Sequence, residues 1–281
     1  MTEIQKKMQK KIPTVFMYII LFILLIFSAV PLLQVFINAF RTNTDVMRRP
    51  FGLPYQWVFN NWYDTWTIGD YGTAFMNSFI IAAVVIVLVL TVVGLAAYAL
   101  SKLEFRGREF FMVYFFVAMS LPGFLSLVPN FFLFNSIGLV NTRMSLIILY
   151  TAGQIPFNML LLRTFLGGIP REVEEAAKID GCSEIQAFTM ITLPIAKSVF
   201  MTIAILIFVN VWNEFLLANT FIMSDSLRPA ATRFVRFVGE FSSDMARIYT
   251  AAAITTLPII VMYLAFSRRF IEGMASGSVK G

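Results

Sequence analysis

Six runs of about twenty or more mostly apolar residues alternate with polar stretches along this chain of 281 residues. They cover approximately 14–39, 74–100, 110–134, 145–166, 199–222 and 249–267. A helix of about 20 residues crosses the roughly 30 Å hydrocarbon layer of a bilayer, and inside lipid only helices and closed barrels satisfy their backbone polar groups. The pattern therefore predicts an all-α membrane protein with six transmembrane helices. It divides the chain into a tail over 1–13, a first helix over 14–39, an external loop over 40–73, a core of five helices over 74–267 and a tail over 268–281. The first run is read as a retained span, because its length of about 25 exceeds the roughly 7–15 residues of a signal-peptide core. Pro31, Pro122, Pro129, Pro156 and Pro258 interrupt five of the runs. Together they predict kinked helices around a cavity.

Charge orients the bundle. With an even number of spans both termini share a side, and that side carries 14 of the 22 Lys and Arg residues, starting with Lys6, Lys7, Lys10 and Lys11. The positive-inside rule makes both termini cytoplasmic. The net charge of +6 is thereby explained at the membrane surface, with no need for nucleic acid. A composition 58% hydrophobic and 14% charged fits a multi-pass protein of the cell membrane, where lipid is a partner. On the external side Trp57, Trp62, Tyr63 and Trp66 punctuate the 40–73 loop and suit either the interfacial aromatic belt or a docking surface.

Candidate chemistry is thin. The chain has no His and one Cys, Cys182, so His-based triads, His relays and internal disulfides are excluded and no metal-ligand cluster is expected. No Gly-Lys pair exists, so no phosphate-binding loop of the GxxxxGK[ST] kind does either. Any ATP and Mg are expected on a partner, with no cofactor and no catalytic residue in this chain. Polar groups inside the spans are the exception. Asn210, Trp212, Asn213 and Glu214 lie in the fifth run, where a carboxylate is costly unless it faces protein or water. Asn210 and Glu214, four apart, share a helical face. Amides, a carboxylate and an indole suit a sugar pathway; interhelical hydrogen bonding is the competing reading. Asn77, Gln154 and Asn158 are weaker candidates of the same kind, and Arg163 reads as a residue reaching the inner surface.

Between the fourth and fifth runs, residues 174–194 read EEAAKIDGCSEIQAFTMITLP. Pro170 suits the first turn of a helix, the glutamates after it complement the helix dipole, and Gly181 suits a left-handed stop. Ser183 and Gln186 form a capping box that opens a second helix ending before Pro194. The result is a cytoplasmic elbow over 170–193, which either caps the bundle or receives another protein.

The spacing E-A-A-x3-G-x9-I-x-L-P, from Glu175 to Pro194, resembles the signature loop of the transmembrane subunits of binding-protein-dependent, type I ABC importers. That resemblance implies the type I permease fold, with 74–267 as its core. Glu175, Ala176, Ala177, Asp180, Gly181, Leu193 and Pro194 would then contact a separate ATPase. The stretch WNEFLLA at 212–218 and the tail from Arg268 to Gly281 look like carbohydrate-uptake permeases, of the type of the maltose transporter's smaller subunit. Lys197-Ser198 stands where many relatives have a second proline. The implied partners are a homologous second permease, an ABC ATPase dimer, a solute-binding protein and a carbohydrate. A permease for another small solute, an ion-coupled carrier and a membrane enzyme are the alternatives; the chain lacks the intramembrane charge pair that a carrier should show.

Overall fold

The computed structural model describes the backbone of residues 3–278 and the side chains of residues 16–267. The side chains of the N-terminal lysines and of the tail beginning at Arg268 lie outside the described residues. Among the described residues every regular element is helical. Four helical segments are long and apolar enough to cross a membrane unbroken: Phe16–Asn38, Tyr71–Lys102, Arg143–Gly167 and Met245–Ser267. Two helix pairs, bent by 89° and 78°, bring the number of candidate spans to six.

The chain divides into two compact units, residues 1–69 with 236–256 and residues 70–235 with 257–281. The first holds α1 (Glu3–Asn38), α2 (Asn43–Arg48) and α3 (Asn60–Ile68). Its buried anchor is Arg41, which donates to Asp45 Oδ2 at 2.8 Å and to Asn38 Oδ1 at 2.8 Å. Arg49 reaches the other oxygen of Asp45 at 2.7 Å. The hydrogen bond from Arg41, reinforced by Arg49, holds the Asp45 carboxyl far below the usual carboxylate range. Part of the aromatic set over 40–73 clusters on Phe40. The Trp57, Phe59 and Trp62 rings surround Phe40 at 5.8, 5.4 and 5.3 Å; Trp62 is half-buried, whereas Trp57 and Phe59, like Tyr63 and Trp66, stay exposed.

The second unit is built on α4 (Tyr71–Lys102), α5 (Arg108–Ser120), α6 (Leu127–Ser136) and α7 (Arg143–Gly167). The elbow contributes α8 (Glu172–Ile179), α9 (Glu184–Ala187) and α10 (Leu193–Ile195), followed by α11 (Lys197–Asn213) and α12 (Leu216–Phe221). Two further helices, α13 (Ala230–Glu240) and α14 (Met245–Ser278), each divide between the units. Ile81, Val85, Val89, Val93 and Ala97, spaced four apart along α4, are buried with Leu146, Met159, Leu162 and Leu166 of α7 and with Ile203 and Ile207 of α11. Gly94 permits the closest packing, since a Cβ there would come within 3.2 Å of the Phe188 and Phe200 rings.

Two spans differ from the sequence expectation. The third breaks after Ser120, because Pro122 lacks an amide hydrogen and drives Leu121 into extended backbone at ψ 123°. The other prolines expected to interrupt helices sit within them: Pro31 in α1, Pro129 in the first turn of α6, Pro156 in α7 and Pro258 in α14. The apolar run at 199–222 is likewise not one helix, since Glu214 is extended at ψ 122° and the chain restarts at α12.

Candidate functional site

The elbow starts from local sequence chemistry. Arg171 is the N-cap of α8, so Pro170 lies just before the helix rather than in its first turn, and Glu172, Glu174 and Glu175 occupy that turn. Asp180 ends the helix and Gly181 turns the chain at φ +83°, a conformation that costs other residues more. The capping box forms as expected: Ser183 N–H donates to Gln186 Oε1 at 2.8 Å, and Gln186 N–H donates to Ser183 Oγ at 3.4 Å. The second helix does not stop before Pro194. A π turn over Phe188–Thr192 leads into α10, which contains Pro194. In an unbroken α-helix the proline ring would clash with the carbonyl four residues back, and the widened turn avoids this.

Burial separates the signature residues into two sets. Glu175, Ala176, Asp180, Gly181 and Pro194 are exposed, whereas Ala177 is buried and Leu193 half-buried. Ala177 therefore packs the elbow onto its own bundle and does not face outward. Large apolar side chains project beside the exposed set: Ile179 at 86%, Ile185 at 70% and Met190 at 67% exposure. Singly exposed apolar residues are ordinary; here three lie on one short charged elbow.

Two ion pairs set the elbow's posture. Lys102, at the end of α4, reaches Glu174 at 3.2 Å with side chains only 3% and 9% exposed, and also donates to the Ile169 carbonyl at 2.8 Å. Lys178 joins α8 to Glu184 of α9 at 2.6 Å, and that hydrogen bond holds the Lys178 ammonium above its ordinary value. Tyr98 donates to Glu184 at 3.2 Å, and its ring lies 5.3 Å from that of Phe188. Sequence reasoning did not single out Lys102 and Glu174 as a joint. The available signal was helical spacing, which puts Glu174 on the same inward face as Ala177.

The four intramembrane candidates do not form one site. Glu214 lies beyond the end of α11, so it does not share a helical face with Asn210. Its carboxylate accepts the Leu217 and Ala218 amides at 2.8 and 3.0 Å and the Tyr150 hydroxyl at 2.6 Å. It thus caps α12 and ties it to α7. Trp212 is 1% exposed and packs against Phe75, Phe79 and Phe208, which leaves no open indole face for a sugar. Asn213 is exposed and donates to the Val209 carbonyl at 3.0 Å. Asn210 borders a mainly apolar cavity of about 250 Å³ with Val209, Met262 and Tyr263.

The weaker candidates are mostly structural. Buried Asn77 donates to the carbonyls of Ser226 and Arg228 at 2.9 and 3.2 Å and accepts from Arg143 at 2.8 Å. Asn158, also buried, bonds to Gln154, while Arg163 donates to the Leu100 carbonyl at 3.4 Å, near the end of α4. No group of three or more potential metal ligands occurs among the described residues.

Known proteins share this architecture. Residues 91–275 match the family described as the binding-protein-dependent transport system inner membrane component. A Bacillus subtilis chain described as a probable ABC transporter permease, YurM, is 36% identical over 94% of this chain and 88% of its own. The diacetylchitobiose uptake system permease NgcG of Streptomyces coelicolor is 32% identical over 89% of this chain and 84% of its own. In the crystal structure of a bacterial ABC transporter that imports the acidic polysaccharide alginate, one chain superposes with a TM-score of 0.81 at 22% identity, covering 93% of this chain and 98% of that one, a likeness of fold. The family match spans well over half of the sequence, and the chain belongs to the inner membrane permeases of binding-protein-dependent ABC importers.

Proposed function

We propose that this permease subunit forms half of a carbohydrate pathway and takes its energy from a separate ABC ATPase that docks on the elbow from the cytoplasm. The exposed set at Glu175, Ala176, Ile179, Asp180, Gly181, Ile185 and Met190 carries this reading. It is the surface that the Lys102–Glu174 pair fixes to α4 and that Phe188, buried beside Gly94, carries into the bundle. ATPase closure would bias a two-state bundle through this joint. A solute-binding protein would deliver sugar from outside, and a homologous, larger permease would complete the pathway. The diacetylchitobiose permease among the relatives supports a carbohydrate cargo. Solute contact within this chain falls to Asn210 and Asn213, with Trp212 and Glu214 as framework. ATP and Mg bind on the ATPase, this chain having no phosphate-binding loop.

The deciding experiment purifies the tagged permease with its associated subunits and reconstitutes it in vesicles. Uptake of radiolabelled oligosaccharide is expected only with ATP and a co-purifying ATPase; uptake driven by an ion gradient without ATP would overturn the proposal.

A further inference from the structure

The elbow is only one wall of the cavity beside it. The other is the α4–α5 turn: Leu103, Glu104 and Phe105 face Arg171, Glu175 and Lys178 across a space of about 550 Å³. A second space of about 490 Å³ continues from Glu104 and Phe105 along the turn to Arg108 and Glu109. Turn and elbow are locked together by the buried Lys102–Glu174 pair at 3.2 Å and by the Lys102 bond to the Ile169 carbonyl at 2.8 Å. A body seated on the elbow at Glu175 thus borders a groove whose far side is Glu104 and Phe105.

Charge and composition say what that body presents. Lys102 and Lys178 are ion-paired, Arg108 donates to the Leu100 and Ser101 carbonyls at 2.9 and 3.4 Å, and the exposed Arg106 of the turn lines neither space. Glu175 has no ion-pair partner among the described residues, and Glu104 meets Arg171 at 3.5 Å with both side chains largely exposed, a weak and exchangeable pair. The groove therefore has spare negative charge beside the partly exposed Phe105 ring, and aromatic side chains are enriched at protein interfaces.

We propose that the α4–α5 turn is a second docking wall for the ATPase, with Phe105 as its apolar contact and Glu104 with Glu175 receiving a cationic ATPase side chain. This rests on the elbow being the ATPase socket. Gripping both walls, the ATPase would move α4 and the elbow as one body.

The test compares wild type, Phe105→Ala, Glu104→Arg, Glu104→Gln and Gly181→Asp in the tagged complex. ATPase retained per permease is read after size exclusion in detergent, with permease yield and elution position as the control for folding. Phe105→Ala and Glu104→Arg are expected to lower retention about tenfold, as loss of a well-packed contact does. Glu104→Gln should flatten the decline of retention with rising salt, which a merely structural role would not do. If Phe105→Ala and Glu104→Arg retain the ATPase within about twofold of wild type while Gly181→Asp loses it, the turn is not a wall and the elbow reading stands. If Gly181→Asp also retains it, the elbow reading fails and takes this proposal with it. Unchanged retention, with transport in vesicles that now depends on anionic lipid, would make the turn a headgroup contact and overturn the proposal as well.

Discussion

Glu214 accepts three hydrogen bonds at once, from two amides of α12 and from the Tyr150 hydroxyl. A carboxylate so satisfied is a framework group, and removing one donor costs about 1–3 kcal/mol. Tyr150→Phe is expected to lower the thermal midpoint of the detergent-purified permease by several degrees without changing the apparent affinity for sugar. A loss of affinity with unchanged stability would instead return Glu214 to the pathway. At Asn213, which is exposed, the opposite holds. Asn213→Ala should raise the KM for uptake and leave the stability within about 0.5 kcal/mol of wild type, as surface changes do. The residue types were legible in the sequence. Their division between framework and pathway was not, because it depends on where α11 ends and on which ring packs behind Trp212.

At the scale of elements, the elbow shows how a joint is made from a pair that lies far apart in sequence. Leaving one member of a buried ion pair uncompensated costs about 3–5 kcal/mol. Lys102→Ala should therefore loosen the elbow, seen as faster limited proteolysis within 170–195, and should uncouple ATP hydrolysis from uptake. Hydrolysis that stays fully coupled would show that the pair is not the transmission joint. In the segment after α1, α2 rests on Asp45. A group whose folded pKa is depressed contributes stability that is present above its ordinary value and lost as pH falls through the folded one. Amide protection across residues 42–49 should thus persist at pH 5 and fall as the solution becomes strongly acidic. In Asp45→Asn it should already be weak at neutral pH, with little further dependence on acid. The end of α8 and the start of α9 were readable from Gly181 and the capping box, since those signals act within four residues. The π turn, the bend at Pro122 and the helix end at Glu214 were less so, because an apolar run has the same hydropathy whether its helix is straight or broken.

For the whole molecule, the face left uncovered is as informative as the core. Phe16 to Phe27 are exposed without interruption, and most of α5 and α6 is exposed and apolar, so lipid or a second permease must cover them. Membrane extraction should accordingly yield a complex larger than the single chain. A monodisperse monomer with full sugar-uptake activity would refute the two-permease arrangement. By itself the sequence determined the class of protein, the number of apolar runs and the family, because hydropathy, capping and a signature spacing are local properties that survive without coordinates. Tertiary structure alone decided which signature residues face outward, which polar groups are locked into the framework, and that the α4–α5 turn shares a groove with the elbow. Those outcomes depend on contacts between residues more than sixty positions apart, such as Lys102 with Glu174 and Tyr150 with Glu214. No local pattern encodes such pairings, because each forms only when two helices pack.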